Sequence, residues 1–454
     1  MINSTAEGAG YTIVENASLE GRNTFHVAAR ADLLVDVRKR DALTELFGFA
    51  ALKSQPVLVL GEGSNILFTR DWPGVVLSMA TRGIAVLHAH AESARIRVEA
   101  GENWNDFVHW SIGQGFAGLE NLVAIPGTVG AAPMQNIGAY GVEVREFVAH
   151  VEAWDREASR FVELSNADCA FAYRDSVFKR TPDRYLITAV VFDLPRKREP
   201  RLDYAGVGEE LEALGVAEPR PASIAEAITR IRMRKLPNPH VIGNAGSFFK
   251  NPLVSATTAD AVKREHPSAP VWQAGEGLMK LSAAWLVESC GFKGLREGDA
   301  GVSSEHALVL VNHGRATGAE LGALAARIRV AVRERFGIEL VAEPGSSEPR
   351  FPASASRREN RFRASGHSDF GLAPLLSEPS ADASLTAIHL ISARPSGVAW
   401  QSPPPIHRSS PRAGACSRRS SRAQAFRSIL RSHDAGPAAP EASRTCRRLR
   451  HRTR

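Results

Sequence analysis

Cysteine is scarce. Four occur in 454 residues, Cys169, Cys290, Cys416 and Cys446, and none stands in a CxxC or Cys/His spacing, which excludes a disulfide scaffold and a zinc site. No basic stretch leads into an apolar core between Met1 and Asn23, and no apolar run approaches the length of a membrane span. The expectation is a cytoplasmic protein with neither metal nor membrane partner. A surplus of one charge is also missing once the chain is divided. The formal charge is +7, but residues 346–454 hold 19 arginines, no lysine and 7 acidic residues, a surplus of +12. Residues 1–345 hold 37 basic and 42 acidic residues and carry −5, so the basicity says nothing about the part that folds.

What is present is an alternation of short β-branched runs with amphipathic stretches from Ala31 to about Ile338, the pattern of an α/β or α+β chain long enough for two or three cores. Asp32 to Val37 and Pro56 to Leu60 read as strands, with one helix between them over Arg40 to Leu52. Ser223 with Glu226 and Thr317 with Glu320 have the spacing of capping boxes. The first helix runs to Lys235, before Pro237 and Pro239. The second presents Leu321, Leu324, Ile328 and Val332 on one face and stops at Gly337. After Glu343-Pro344-Gly345 the text turns to Arg, Ser, Pro and Ala, periodicity vanishes, and the stretch reads as disordered. So abrupt a change without lysine is what an out-of-frame read of a GC-rich gene produces. Its aromatics are sparse and no nucleic-acid-binding module is interleaved with its arginines, so a nucleic-acid partner is not expected.

Four stretches could carry chemistry. The strand Pro56 to Leu60 runs into Gly61-Glu62-Gly63-Ser64-Asn65, a loop in which missing Cβ atoms let amides approach a phosphate, or an ordinary tight turn. It matches neither GxGxxG nor GxxxxGK[ST], which disfavours a Rossmann or NTPase site. Pro126, Gly127, Thr128, Gly130, Ala131, Gln135, Asn136, Gly138, Ala139 and Tyr140 belong to a glycine- and alanine-rich run. A flat ligand could lie on its backbone while Thr128, Gln135 and Asn136 address the ligand's edges; close packing of loops is the other reading. In Phe171 to Lys179, Arg174 is either held for bidentate contact with a carboxylate or paired with Asp175 at the surface, the simpler choice. In Gly243 to Pro252, Ser247 lies between a glycine and two aromatics with no GxSxG elbow. It is a turn serine, or a hydroxyl able to protonate a carbon centre.

In this order, these stretches resemble the UDP-N-acetylenolpyruvoylglucosamine reductase family. The match rests on Asn23-Thr24-Phe25, Gly61 to Asn65, Ala100 to Trp104, Gly118 to Asn121, Ile125 to Glu143, Tyr173 to Lys179, Lys235-Leu236-Pro237, Gly243 to Pro252 and Ala307 to Asn312, and covers about residues 20–344. The resemblance implies an α+β, three-domain flavoprotein. Two domains of the vanillyl-alcohol-oxidase (PCMH) type, 17–70 and 71–220, would hold FAD, and an α+β substrate domain, 221–345, would close over the substrate. It also implies a monomer.

The implied reaction begins with NADPH reducing the flavin and leaving; the UDP sugar then takes its place. Hydride passes to the terminal carbon of the enolpyruvyl group and Ser247 protonates its neighbour. Arg174 and Glu343 match the family residues that stabilise the charge built on the substrate carboxylate. The Gly61 to Asn65 loop and the run from Pro126 to Tyr140 become the FAD surface, and Tyr204, Lys235 and Asn251 match substrate-gripping positions. Tyr204 and the insert after it resemble the type I branch, whose tyrosine loop folds over the substrate. Two departures stand out. His306 occupies a family glutamine position and is left out of the site. Beyond Glu343 the family continues through a basic residue and a short closing strand, whereas here Gly345 stands two positions on and the tail begins. The rival readings are another FAD oxidoreductase of the same fold acting on an alcohol or sugar, and an inactive flavin fold carrying an Arg-rich nucleic-acid-binding tail.

Overall fold

The computed structural model describes residues 5–346, the last two as backbone only, so the stretch read as a disordered tail lies, beyond Ser346, outside the described residues. Five strands form a first sheet in the order Thr5–Gly8, Tyr11–Ser18, Arg30–Val37, Trp72–Met79, Val57–Leu60. The expected strands are there, but they do not pair with each other. Trp72–Met79 lies between them, parallel to both. Its run from Gly74 to Met79 is buried throughout, as a central strand covered on both faces requires. This strand carries the first sheet past residue 70, where the sequence suggests a domain boundary. The single helix expected over Arg40 to Leu52 is two, Ala42–Leu46 and Ala50–Ser54, because the chain turns at Gly48 and Phe49 is extended.

The second sheet is antiparallel throughout, in the order Arg160–Ser165, Val148–Asp155, Tyr185–Pro195, Ser93–Glu99, Ile84–Ala89. Leu186 to Phe192 is buried without a break. Helix Trp104–Gly113 packs here, with Phe107 and Phe192 ring centroids 4.9 Å apart, and Asn103 caps it by accepting the Asp106 amide at 3.0 Å. The two sheets share one apolar core, with Val35, Leu43 and Val75 from the first and Ile96, Val190 and Phe192 from the second.

Helix Pro221–Lys235 ends where expected but does not start there. Arg220 is its N-cap and Pro221 its first residue, while Ser223 lies one turn inside, accepting the Arg220 amide at 2.9 Å. Glu226 pairs with Arg230 instead of closing a box. The apolar face of the helix, Ile224, Ala227, Ile228 and Ile231, joins the large core, so by packing the helix belongs with the first two sheets and not with the residues that follow it.

A second core starts beyond that helix. The strands Gly243–Ser247, Val309–Asn312, Ala300–Val302 and Arg296–Glu297 form one sheet, and Leu253–Ser255, Leu278–Leu281 and Val271–Gln273 another. Helix Gly318–Phe336 covers this core with Leu321, Leu324, Ile328 and Val332. Its Thr317 and Glu320 box is closed, and Gly337 ends it at φ 67°. Phe25, Val27 and Leu67, from the N-terminal part, pack into this second core, and Asn312 donates to the Phe25 carbonyl at 2.9 Å. Among the described residues no helix is long and apolar enough to cross a membrane.

Truncating the central aromatic tests the shared core. Phe107→Ala is expected to lower unfolding free energy by about 3–5 kcal/mol, read from urea denaturation, because the packed sheets cannot collapse into the space it leaves. A loss below about 1 kcal/mol would mean that the two sheets do not share a tightly packed core.

Candidate active site

The strand Val57–Leu60 and Gly61, the first residue of the loop after it, form one wall of a cleft of about 230 Å³ between the two sheets, lined also by Ala100, Thr128, Gly130, Ala131 and Tyr185. The glycines here are there for space. Gly63 has φ 67° and an added Cβ would lie 2.0 Å from the Arg22 carbonyl oxygen; at Gly130 it would lie 2.6 Å from the Ala100 Cβ. Glu62 laces the walls together, accepting the Asn103 side-chain amide at 2.5 Å and the Gly127 backbone amide at 2.9 Å. Ser64 donates to the Pro126 carbonyl at 3.0 Å. A Cβ at Gly61 would stand 3.0 Å from Thr128 Oγ1, so this is a cradle that a side chain would fill. Its apolar strand wall, backbone-lined floor and nearby Thr128 hydroxyl suit a flat, polar-edged cofactor, and the volume admits part of a dinucleotide.

Several of the expected cofactor residues do other work with their side chains, Glu62 and Asn136 most fully. The Glu62 carboxylate is occupied as described. Asn136 is fully buried at φ 46°, donates to Glu143 and to the Ala172 carbonyl at 3.0 Å each, and accepts the Arg145 amide at 3.2 Å. Its amide therefore fixes the loop and does not address a ligand edge. Gly138–Ala139 and Val142–Glu143 form a hairpin whose two turn residues, Tyr140 and Gly141, have φ 49° and 81°. Gln135 accepts from Asn65 at 2.9 Å, joining the two loops.

The hairpin leads to the arginine. Arg174 does not pair with Asp175, which binds Arg180 instead. It reaches Glu343, Nε to Oε1 3.1 Å, and donates from Nη2 to the Gly138 carbonyl at 2.7 Å. Arg174 has φ 54° in the turn from Ala172 to Asp175, a position glycine prefers, and such strain costs about 1–3 kcal/mol. The ion pair and the carbonyl bond hold it there. Its Nη1 has no partner among the described residues.

Glu343 is placed by its backbone. Its amide donates to the Phe248 carbonyl at 2.8 Å, the Lys250 amide donates to the Val341 carbonyl at 2.9 Å, and Gly345–Ser346 continues in parallel with Ile66–Leu67. A closing strand is thus present, although no basic residue follows Glu343. Ser247 ends the strand Gly243–Ser247, one residue before the carbonyl that holds Glu343. It is half-buried and its hydroxyl has no hydrogen-bond partner among the described residues.

Tyr204 is exposed, its ring 4.9 Å from that of Tyr140. Lys235 is exposed at the end of its helix, close enough to His306 that its charge, after burial, helps keep that imidazole neutral. Asn251 accepts the Ala283 amide at 3.0 Å through Oδ1, and its NH₂ group has no partner among the described residues. Residue patterns alone miss two cations here. Arg232 donates to the Ala124 carbonyl at 3.2 Å; burial lowers its pKa and the Tyr140 hydroxyl supports its charge. Lys179 lies within reach of Gln135 and of the Arg174 carbonyl. Both stand inside the matched text or beside it, but helix-end and loop cations are common and their sequence neighbours give no sign of burial.

Comparison with known proteins agrees with this geometry. Residues 31–165 match the FAD binding domain model, and residues 238–346 match the model described as UDP-N-acetylenolpyruvoylglucosamine reductase, C-terminal domain. A UDP-N-acetylenolpyruvoylglucosamine reductase of Xanthomonas euvesicatoria pv. vesicatoria is 52% identical over 344 residues, covering 75% of this chain and 98% of its own length. One from Xanthomonas oryzae pv. oryzae is 53% identical over 337 residues, covering 74% and 96%. Among solved structures, the reductase of Thermus caldophilus superposes with a TM-score of 0.51 at 25% identity, over 76% of this chain and 99% of that one. With two β-rich units sharing one core, a separate α+β unit and a cleft walled by glycine loops, the chain belongs to the FAD-binding UDP-N-acetylenolpyruvoylglucosamine reductase family.

Proposed function

We propose that the chain reduces the enolpyruvyl ether of UDP-N-acetylenolpyruvoylglucosamine to UDP-N-acetylmuramate in the cytoplasm, with NADPH as the source of electrons. The observation that carries this reading is the Arg174–Glu343 pair at 3.1 Å, brought together from the two cores and beside Ser247. In this reading the residues up to Met79 and those from there to helix Pro221–Lys235 hold FAD, and 238–346 bind substrate. The loop Gly61 to Asn65 and the run Pro126 to Ala131, which meet the cleft at Gly61, Thr128, Gly130 and Ala131, hold the cofactor through backbone amides and Thr128, with Gln135 and the hairpin through Tyr140 beside them. When bound, the flavin supplies hydride to the terminal carbon of the enolpyruvyl group.

The protein's own part is electrostatic. Hydride addition to an enol ether conjugated with a carboxylate pushes negative charge onto that carboxylate as an enediolate. A guanidinium already fixed by Glu343 and the Gly138 carbonyl meets that charge without reorganising, so it favours the transition state over the ground state. The free Nη1 of Arg174 is the donor available for this. Ser247, whose hydroxyl is uncommitted among the described residues, donates the proton to the adjacent carbon. Tyr204, Lys235 and the NH₂ group of Asn251 grip the UDP portion. Local positive charge at Lys235, Lys250 and Arg232 explains how a segment of net −5 accepts a polyanion.

Three measurements test the reading. The purified chain should be yellow and, beyond the single equivalent that bleaches its flavin, should consume NADPH continuously only when the UDP-enolpyruvyl sugar is present; a colourless protein, or continuous NADPH loss indifferent to the sugar, overturns it. Ser247→Ala should leave the bleaching of flavin absorbance by NADPH intact while turnover of the sugar drops by at least about 10²-fold. Equal losses in both would make Ser247 structural. Arg174→Ala should cost about 10²–10³-fold in kcat with smaller change in KM, since the contact strengthens only as charge develops.

A further inference from the structure

Lys179 has no role in the reaction as derived above, yet it lies where the cofactor loops and the acid-bearing strand meet. It caps no surface. The C-terminal turn of the short helix Val177–Arg180 points its ammonium inward, 3.3 Å from the Arg174 carbonyl and 3.5 Å from Gln135 Oε1. Gln135 in turn accepts from Asn65 at 2.9 Å, and that same Asn65 amide lies 3.4 Å from the Glu343 carbonyl. One ammonium is therefore tied to both FAD-side loops and to the backbone of the strained turn that carries Arg174.

We propose that Lys179 is a positioning residue for the reductase reaction: its ammonium clamps the Arg174 turn to Gln135, and only while it is charged is the Arg174–Glu343 pair held in its working geometry.

The groups facing Lys179 support this. Lys250 approaches from the segment that follows Ser247, Glu343 from the closing strand, and Asp175 from its own turn. Burial and then Lys250 pull the pKa of Lys179 down to about 8, while Glu343 and Asp175 act against them. An amine placed beside a second amine and half out of water is a poor choice for stability. The position is explained if the charge serves the turn. Loss of the proton would leave a neutral amine whose bonds to the Arg174 carbonyl and to Gln135 lose their charge assistance, and the restraint on the left-handed conformation at Arg174 would weaken.

The sign follows from the shift. A lysine whose folded pKa lies below its unfolded value costs stability when both forms are protonated, and that cost fades as pH rises through about 8 towards 10.5. Lys179→Met is therefore expected to unfold at the same or a higher temperature than the parent at pH 7, with the difference shrinking by pH 10, while kcat falls. In the parent, kcat should decline as pH rises through about 8. Lys179→Arg, whose charge does not titrate in this range, should retain most of the activity and carry the decline to higher pH. KM for the UDP sugar should change little in either variant.

This inference rests on the reading of Arg174 and Glu343 as reaction residues, so Ser247→Ala is assayed beside the lysine variants on the full-length flavin-loaded chain. If Ser247→Ala turns over normally, the reading of the site is wrong. If it is inactive while Lys179→Met keeps parental kcat, or Lys179→Arg keeps the decline at about 8, the clamp alone is refuted. A Lys179→Met protein that unfolds earlier at pH 7 or loses its flavin absorbance would also refute it, as a purely structural lysine. Should that variant not fold, the pH profile of Lys179→Arg still decides.

Discussion

The structure depends on one strand being delivered to the right place. Glu343 can meet Arg174 only because its amide is bonded to the Phe248 carbonyl and the chain on either side is pinned, at Val341 by Lys250 and at Gly345–Ser346 by Ile66–Leu67. Those contacts join the closing segment to the second core on one side and to the strand after the Gly61 to Asn65 loop on the other. The Phe25, Val27 and Leu67 side chains make the same connection from the opposite direction, since they leave the N-terminal part to pack among the residues of the second core. An active site shared between two cores is as rigid as the contacts that join them, and here the joint is made of apolar packing and backbone ladders as well as the ion pair itself.

Within the cofactor half, order comes from polar side chains that face each other and leave the cleft open. Glu62 accepts from the Asn103 side chain and the Gly127 amide, and Asn136 donates to Glu143 and to the Ala172 carbonyl. Half-buried polar groups of this kind stabilise only when satisfied, and their satisfaction is what allows small residues to form the walls without collapsing into the space. The strained φ values at Asn136, Tyr140 and Arg174 lie along this same path. Strain gathered along one site, with Asn136 and Arg174 each held by two or more contacts, is the mark of pre-organisation.

How much could be read beforehand follows the range of the interactions. Helix Gly318–Phe336 was legible to its last residue because a capping box, an apolar stripe and a terminal glycine are all local. The start of helix Pro221–Lys235 is not legible locally, because the sequence offers two overlapping starts and Pro221 is the stronger signal. Strand neighbours were not legible: nothing in Arg30–Val37 or Val57–Leu60 announces that Trp72–Met79 comes between them. Arg174 shows the limit most directly. By residue pattern its simplest partner is the adjacent Asp175, and only the family resemblance joined it to Glu343. The resemblance also supplied Ser247, but not the internal duties of Asn136 and Asn251, whose amides look the same in a sequence whether they face a ligand or a loop.

The position of the closing strand has a consequence for how the enzyme is made. Synthesis runs from the N-terminus, so both walls of the cofactor cleft leave the ribosome long before Val341 to Ser346 do. A nascent chain can therefore present a cofactor-binding surface while the carboxylate partner of Arg174 does not yet exist. On the proposed reading, the residues that hold the flavin are made well before the carboxylate that completes the Arg174 pair, which arrives only with the last described turn of the polypeptide.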